Sequence, residues 1–185
     1  MLTPEDQRAV EGYFAAWQEH VEGWRAAGGP WRAFEGPVPV ASLAAASLAH
    51  PDPRVRRACL GVLDHEASDE SVGVFRAALH DPVPRVRVIA LHGLVCERCR
   101  DGLLCAADVA SDVARLIGSD PSPKVRHAAV VAAWPLAGRD DRVAAAVGRA
   151  AAEDGDDLVR AVAAAVVEGR PGDVRSRKAL RRRSA

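Results

Sequence analysis

Three of the four cysteines in this 185-residue chain fall within ten residues of one another, in the stretch VCERCRDGLLC at positions 95–105. Thiolate sulfur and imidazole nitrogen are the donors Zn²⁺ prefers, and His92, Cys96, Cys99 and Cys105 spell His-x3-Cys-x2-Cys-x5-Cys, four such donors in one short segment. If the helix that begins near Val86 continues this far, His92, Cys96 and Cys99 share one of its faces. Arg100-Asp101-Gly102 is a turn sequence that would bring Cys105 back toward them. Arg98 and Arg100 favour the deprotonated thiols. The pattern predicts a structural zinc site. A CxxC disulfide or a set of redox-sensitive free thiols is the competing chemistry. A catalytic metal and an iron–sulfur cluster are further readings, the cluster lacking a fourth cysteine nearby. No secretory signal is legible in MLTPEDQRAV, so a reducing, cytoplasmic setting is expected, where clustered cysteines serve metal or redox chemistry more often than structural disulfides.

The elements that must position these residues are set by a repeat. PDPRVRRACLGVL from 51, DPVPRVRVIALHGL from 81, DPSPKVRHAAVVAA from 120 and GDDLVRAVAAAVV from 155 align on a Val-Arg pair that opens an Ala-rich helix. The pairs Val55-Arg56, Val86-Arg87, Val125-Arg126 and Val159-Arg160 are 31, 39 and 34 residues apart. Partner helices VASLAAASLAH, SVGVFRAALH, DVARLIGS and RVAAAVGRAAA lie before or between them. One helix pair per repeat of this length predicts an α-solenoid. Proline in the first turn costs no hydrogen bond, and Asp52, Asp81, Asp120 and Asp156 stand where a carboxylate caps exposed amides. Val55, Cys59 and Leu63, like Val86, Ala90 and Leu94, fall on the side of the helix facing its companion. Cys59 therefore reads as a small core residue rather than a ligand. The arginines Arg56, Arg87, Arg126 and Arg160 are expected to pair with the aspartates of their own or the adjacent repeat in a ladder. The longest interval holds the cysteines, which places them in an insertion at about 96–107. His65, equivalent to Cys96 one repeat earlier, is an alternative to His92 as the fourth ligand.

These segments resemble the HEAT-like repeats of the phycobilin-lyase type, common in bacterial proteins of many functions. The resemblance spans about residues 38–169 and implies an all-α fold: an α-solenoid of about four HEAT-like helix pairs. It says little about activity, because such solenoids serve as scaffolds, lyases, hydroxylases and DNA glycosylases. Residues 1–37 fall outside the repeat. Thr3-Pro4-Glu5-Asp6 is a helix start, and Val10, Tyr13, Phe14, Trp17, Val21 and Trp24 mark one helical face that ends at Gly28-Gly29-Pro30. An N-terminal capping helix over the open end of the solenoid is the expected role, with an aromatic partner groove as the alternative. Residues 170–185 form a basic tail. The stretch 174–185 holds six of the 25 basic residues and none of the 25 acidic ones, so residues 1–173 carry a net −6.

An acidic body argues against a broad nucleic-acid surface, and no apolar run is long enough to span a bilayer. The second helices of the repeats are expected to expose, on the concave side, Leu60, Val88, Leu91, Val95, His127, Val130 and Trp134. This apolar stripe suits a helix or extended peptide of another protein, unless the N-terminal helix fills it. No catalytic set emerges. His65-Glu66 alone is too little for a di-iron hydroxylase, and the stripe lacks the phosphate-contacting cations of a DNA glycosylase. The expected function is a non-enzymatic scaffold or adaptor for a partner protein, with zinc in the insertion. Nucleic-acid-binding glycosylase and redox-sensitive thiol protein are the alternatives.

Overall fold

The computed structural model describes residues 1–28, 34–65, 69–95 and 106–170, apart from the side chains of 69–70 and 106–108. Among these residues the chain forms nine α-helices and no strand. α1 (Pro4–Ala27) precedes four helix pairs: α2 (Val40–Ala49) with α3 (Pro53–His65), α4 (Asp69–Ala78) with α5 (Pro84–Val95), α6 (Ala106–Ser119) with α7 (Pro123–Ala132), and α8 (Asp141–Glu153) with α9 (Asp157–Val167). The second helices stack on one another in the order α3, α5, α7, α9, and the first helices form the other layer, with α2 on α4 and α6 on α8. The architecture is an all-α solenoid.

Local chemistry explains where the helices begin. Pro53, Pro84 and Pro123 each occupy the first helical residue, where the missing N–H would have had no partner. Asp140 caps α8 by accepting from the N–H groups of Arg142 and Val143, and Asp156 caps α9 through Leu158 and Val159. Small side chains then let the layers approach closely. Ala90, Ala129, Val125 and Val159 are wholly buried. Phe75 of α4 is the largest side chain in the core, and its ring lies over Gly93 of α5, where an added Cβ would sit 2.4 Å from a ring carbon. Glycine is required there because α4, the companion helix of the same repeat, has placed an aromatic ring in the space a methyl group would take.

At the N-terminal end, Thr3 Oγ1 accepts from the Asp6 N–H (3.1 Å) while Asp6 Oδ2 accepts from the Thr3 N–H (3.0 Å), closing a capping box. Ser42 Oγ donates to Asp6 Oδ1 (2.9 Å) and so ties the start of α1 to α2. Val10 is buried, and Tyr13 and Phe14 pack on the core. The apolar face expected to continue through Trp17 does not stay covered: Trp17 is 42% exposed. Length is the reason. At 1.5 Å per residue α1 spans about 36 Å and α2 about 15 Å, so the second half of α1 overhangs its neighbour. Phe34 packs edge-on against Tyr13 and His20, each at 5.6 Å between ring centroids. The chain thus returns to α1 before entering α2. α1 lies against α2, on the first-helix layer, rather than along the second helices.

Candidate functional site

The arginine ladder has a stricter rule than its sequence suggests. Each arginine donates forward, with two nitrogens, to one aspartate of the next repeat. Arg56 Nε and Nη2 reach Asp81 at 2.6 and 3.0 Å, Arg87 reaches Asp120 at 2.8 and 2.7 Å, and Arg126 reaches Asp154 at 2.8 and 2.8 Å. Each also donates backward through Nη1 to the carbonyl six residues before it: His50 (2.7 Å), Asp81 (2.8 Å) and Asp120 (2.9 Å). The receiving aspartates finish their own turns by accepting the N–H two residues on, from Val83, Ser122 and Asp156, at 2.8 to 2.9 Å. These bonds to Asp81 raise the Arg56 pKa, and those to Asp154 raise that of Arg126. The Arg126 guanidinium in turn holds Asp154 below the usual carboxylate range.

This geometry corrects two expected rungs. Asp52 and Asp156 stand four residues before their arginines, not six. Asp52 Oδ1 accepts from the Arg54 N–H (2.7 Å) and Asp156 caps α9; neither receives the preceding repeat's arginine. The third rung is completed by Asp154, which the alignment passed over because DGDD at 154–157 offers three aspartates close together. Arg160, in the last described repeat, pairs with Asp157 of its own helix.

The face lined by the second helices also differs from the expected stripe. Leu60, Leu91 and Val130 are 0 to 1% exposed and belong to the core, whereas Val88, Val95, His127 and Trp134 are partly accessible. The helical wheel gives the reason. Taking each Val as zero, the residue five on lies at about 140°, near the ladder arginine at about 100° and the neighbouring second helix, while the residue two on lies at about 200°. The residue just before each Val lies at about 260°, on the same open face, and sequence reasoning missed it. That position holds Arg54, Arg85 and Lys124, all exposed. Arg57, Arg85, Lys124 and His127 border a groove of about 320 Å³ whose apolar lining includes Val88 and Ala128. A second groove, of about 470 Å³, is bordered by Trp134, Ala137, Val147, Val166 and Val167 at the α8–α9 end.

Of the expected zinc ligands, Cys96, Cys99 and Cys105 lie outside the described residues, as do the basic tail from 171 and Glu66. His92 stands near the end of α5 with its side chain 51% exposed and Nε2 3.3 Å from Oδ2 of the buried Asp64 on α3. His65 is exposed at the last position of α3. Cys59 is a free thiol in the core, and burial pushes its pKa up to about 12. Among the described residues no three His, Cys, Asp or Glu side chains form a group that could hold a metal, and no helix is long and apolar enough to cross a membrane.

A two-layer stack of helix pairs built from one repeated sequence motif is the architecture of an α-solenoid repeat protein. The family model for HEAT repeats matches residues 40–133, half of the chain, and the protein belongs to that family. No curated protein and no solved structure matches it.

Proposed function

We propose that the chain is a non-enzymatic interaction scaffold whose second-helix face binds a segment of another protein. One observation carries this reading. The ladder and the core account for one side of the central second helices, yet the opposite side presents Val88 and Val95 on α5 and His127 on α7, with Trp134 in the turn that follows α7, each with part of its surface open. A surface held rigid by bonds made elsewhere binds with little ordering cost. HEAT repeats commonly mediate protein interaction, which agrees with this use of the face. The test is a photo-crosslinking side chain placed at Val88 or Trp134, with Arg149 on α8 as control. The expected result is one discrete adduct from the first two positions, reproduced with the purified partner, and none from the third. Equal labelling from all three positions refutes the assignment. A DNA-glycosylase-type activity would instead give a salt-dependent gel shift with duplex DNA.

A second reading concerns the insertion. Metal-bound histidines regularly hand their other ring nitrogen to a carboxylate, and the Asp64–His92 contact, close in sequence to the cysteine stretch, is compatible with that arrangement. We propose zinc held by Cys96, Cys99, Cys105 and His92, organising the connection between α5 and α6. Native mass spectrometry of reduced protein is expected to give one zinc per chain, lost in Cys99→Ser. Metal-free protein whose three thiols alkylate readily supports a redox-sensitive thiol loop instead.

A further inference from the structure

The sequences PRVRR, PRVRV and PKVRH each carry a basic residue two positions before the ladder arginine. Two helical residues span about 200°, so the earlier cation points away from the ladder and onto the open face. The structure puts Arg85 and Lys124 there together with Arg57, around the groove floored in part by Val88 and Ala128. Among the described residues no acidic side chain borders this groove. Arg57, Arg85 and Lys124 make no ion pair or hydrogen bond through their side chains to any described residue, unlike the ladder arginines beside them. Three like charges around one groove without a counter-ion repel one another, an electrostatic cost to the fold. The series also stops: the fourth repeat has Leu158 and Ala161 at the equivalent positions, which confines the feature to α3, α5 and α7.

We propose that this groove binds an extended acidic segment of a partner protein, its carboxylates spaced about three residues apart. The proposal rests on the scaffold reading and names the partner's chemistry. Spacing follows from stacking. Adjacent packed helices are about 8–10 Å apart, and a chain extended as a polyproline II helix turns once in three residues and advances about 3.1 Å per residue, so one acidic side chain in three returns to the groove and meets each successive second helix. The apolar floor suits small aliphatic side chains between the acids. Charge excludes the chain's own tail, which is basic. Duplex nucleic acid is disfavoured because it needs several phosphate contacts along its backbone, more than the three cations around one groove supply.

The experiment is a fluorescence-anisotropy titration of the full chain against three fluorescein-labelled probes. The first is a twelve-residue Gly-Ser-Val peptide with Asp at every third position, the second an isomer with the same Asp residues consecutive, and the third a twelve-nucleotide single strand. The spaced peptide is expected to bind most tightly and to weaken as salt rises. Exposed ion pairs contribute a factor of about 1.5 to 5 each, so reversing all three cations (R57E, R85E, K124E) is expected to cost about tenfold or more. The three positions are exposed, and circular dichroism checks that the variant folds; R57A with K124A serves if it does not. Unchanged affinity in the variants overturns the proposal. Tightest binding to the oligonucleotide overturns it in favour of nucleic acid. Equal affinity for the two peptides overturns the extended register. The two readings fail separately: loss of position-specific crosslinks from Val88 and Trp134 sinks the scaffold, whereas intact crosslinks that ignore the charge reversal sink only the groove.

Discussion

Arg87→Met is the most informative single substitution in the ladder. Arg87 and Asp120 form the most enclosed rung, with side chains 9% and 3% exposed, and the arginine gives Asp120 two of its three hydrogen bonds. Without the guanidinium, a carboxylate stays in the interior with only the Ser122 N–H to hold it. Breaking a buried pair on one side costs about 3–5 kcal/mol, a large share of the roughly 5–15 kcal/mol that stabilises a typical domain. For a chain of this length about 2–4 °C of melting temperature corresponds to each kcal/mol, so a fall of about 6–20 °C is expected by circular dichroism. Arg115→Met is the matched control. Its contact with Asp112 is long, 3.3 Å, and its side chain is 40% exposed, so the expected cost is below about 1 kcal/mol. Replacing both members, Arg87→Met with Asp120→Leu, removes the stranded charge and is expected to recover much of the loss. If Arg87→Met melts no lower than Arg115→Met, or the double variant is as unstable as the sum of the singles, the rung is not what holds these repeats together.

Three further outcomes follow from particular contacts. Gly93→Ala would push a methyl group to 2.4 Å from the Phe75 ring, and urea unfolding is expected to register a loss of about 1–3 kcal/mol, partly restored by Phe75→Leu. Asp140 is held at about 2 chiefly by its hydrogen bond to the Arg142 side chain. Since this lies below its ordinary value of 3.8, the charged form's contribution to stability is complete above about pH 4 and fades as pH falls through about 2. The difference in melting temperature between wild type and Asp140→Asn should therefore shrink across that window; a constant difference would show that the charge is irrelevant. Cys59, wholly buried with a thiol pKa of about 12, is expected to resist iodoacetamide at neutral pH in the native protein and to react once denatured. Mass mapping of the alkylated peptides reads this directly.

The repeat made the fold legible. Val-Arg pairs with proline two residues before Val, or Asp-Asp in the fourth repeat, located α3, α5, α7 and α9, and Ala-rich intervals located their companions. What a pairwise alignment could not supply was the phase of the aspartates. The stretches HPDPRVR and DPVPRVR both begin six residues before the arginine, but the first has His50 at that position and Asp52 two residues later. Counting back from the arginine, rather than matching any nearby acid, separates rung from cap. The open face was misread for an angular reason. Leu60, Leu91 and Val130 lie on the boundary between neighbouring second helices, and a stack of helices buries its flanks as well as its companion side. The cations at Arg85 and Lys124 were overlooked because the ladder arginine two residues later attracted the whole electrostatic reading. The overhang of α1 depended on the length of α2, which sequence periodicity does not fix.

The Arg87–Asp120 rung joins residues on either side of the 96–105 stretch, Arg87 on α5 and Asp120 in the turn between α6 and α7. Alignment of the two central repeats therefore does not depend on the peptide that runs between them. Doubling the length of a flexible connection costs only about 0.6 kcal/mol in closure entropy, small beside a buried rung. A change of length or chemistry at 96–105 is thus expected to leave α5 stacked on α7, with the Arg87–Asp120 rung unaltered.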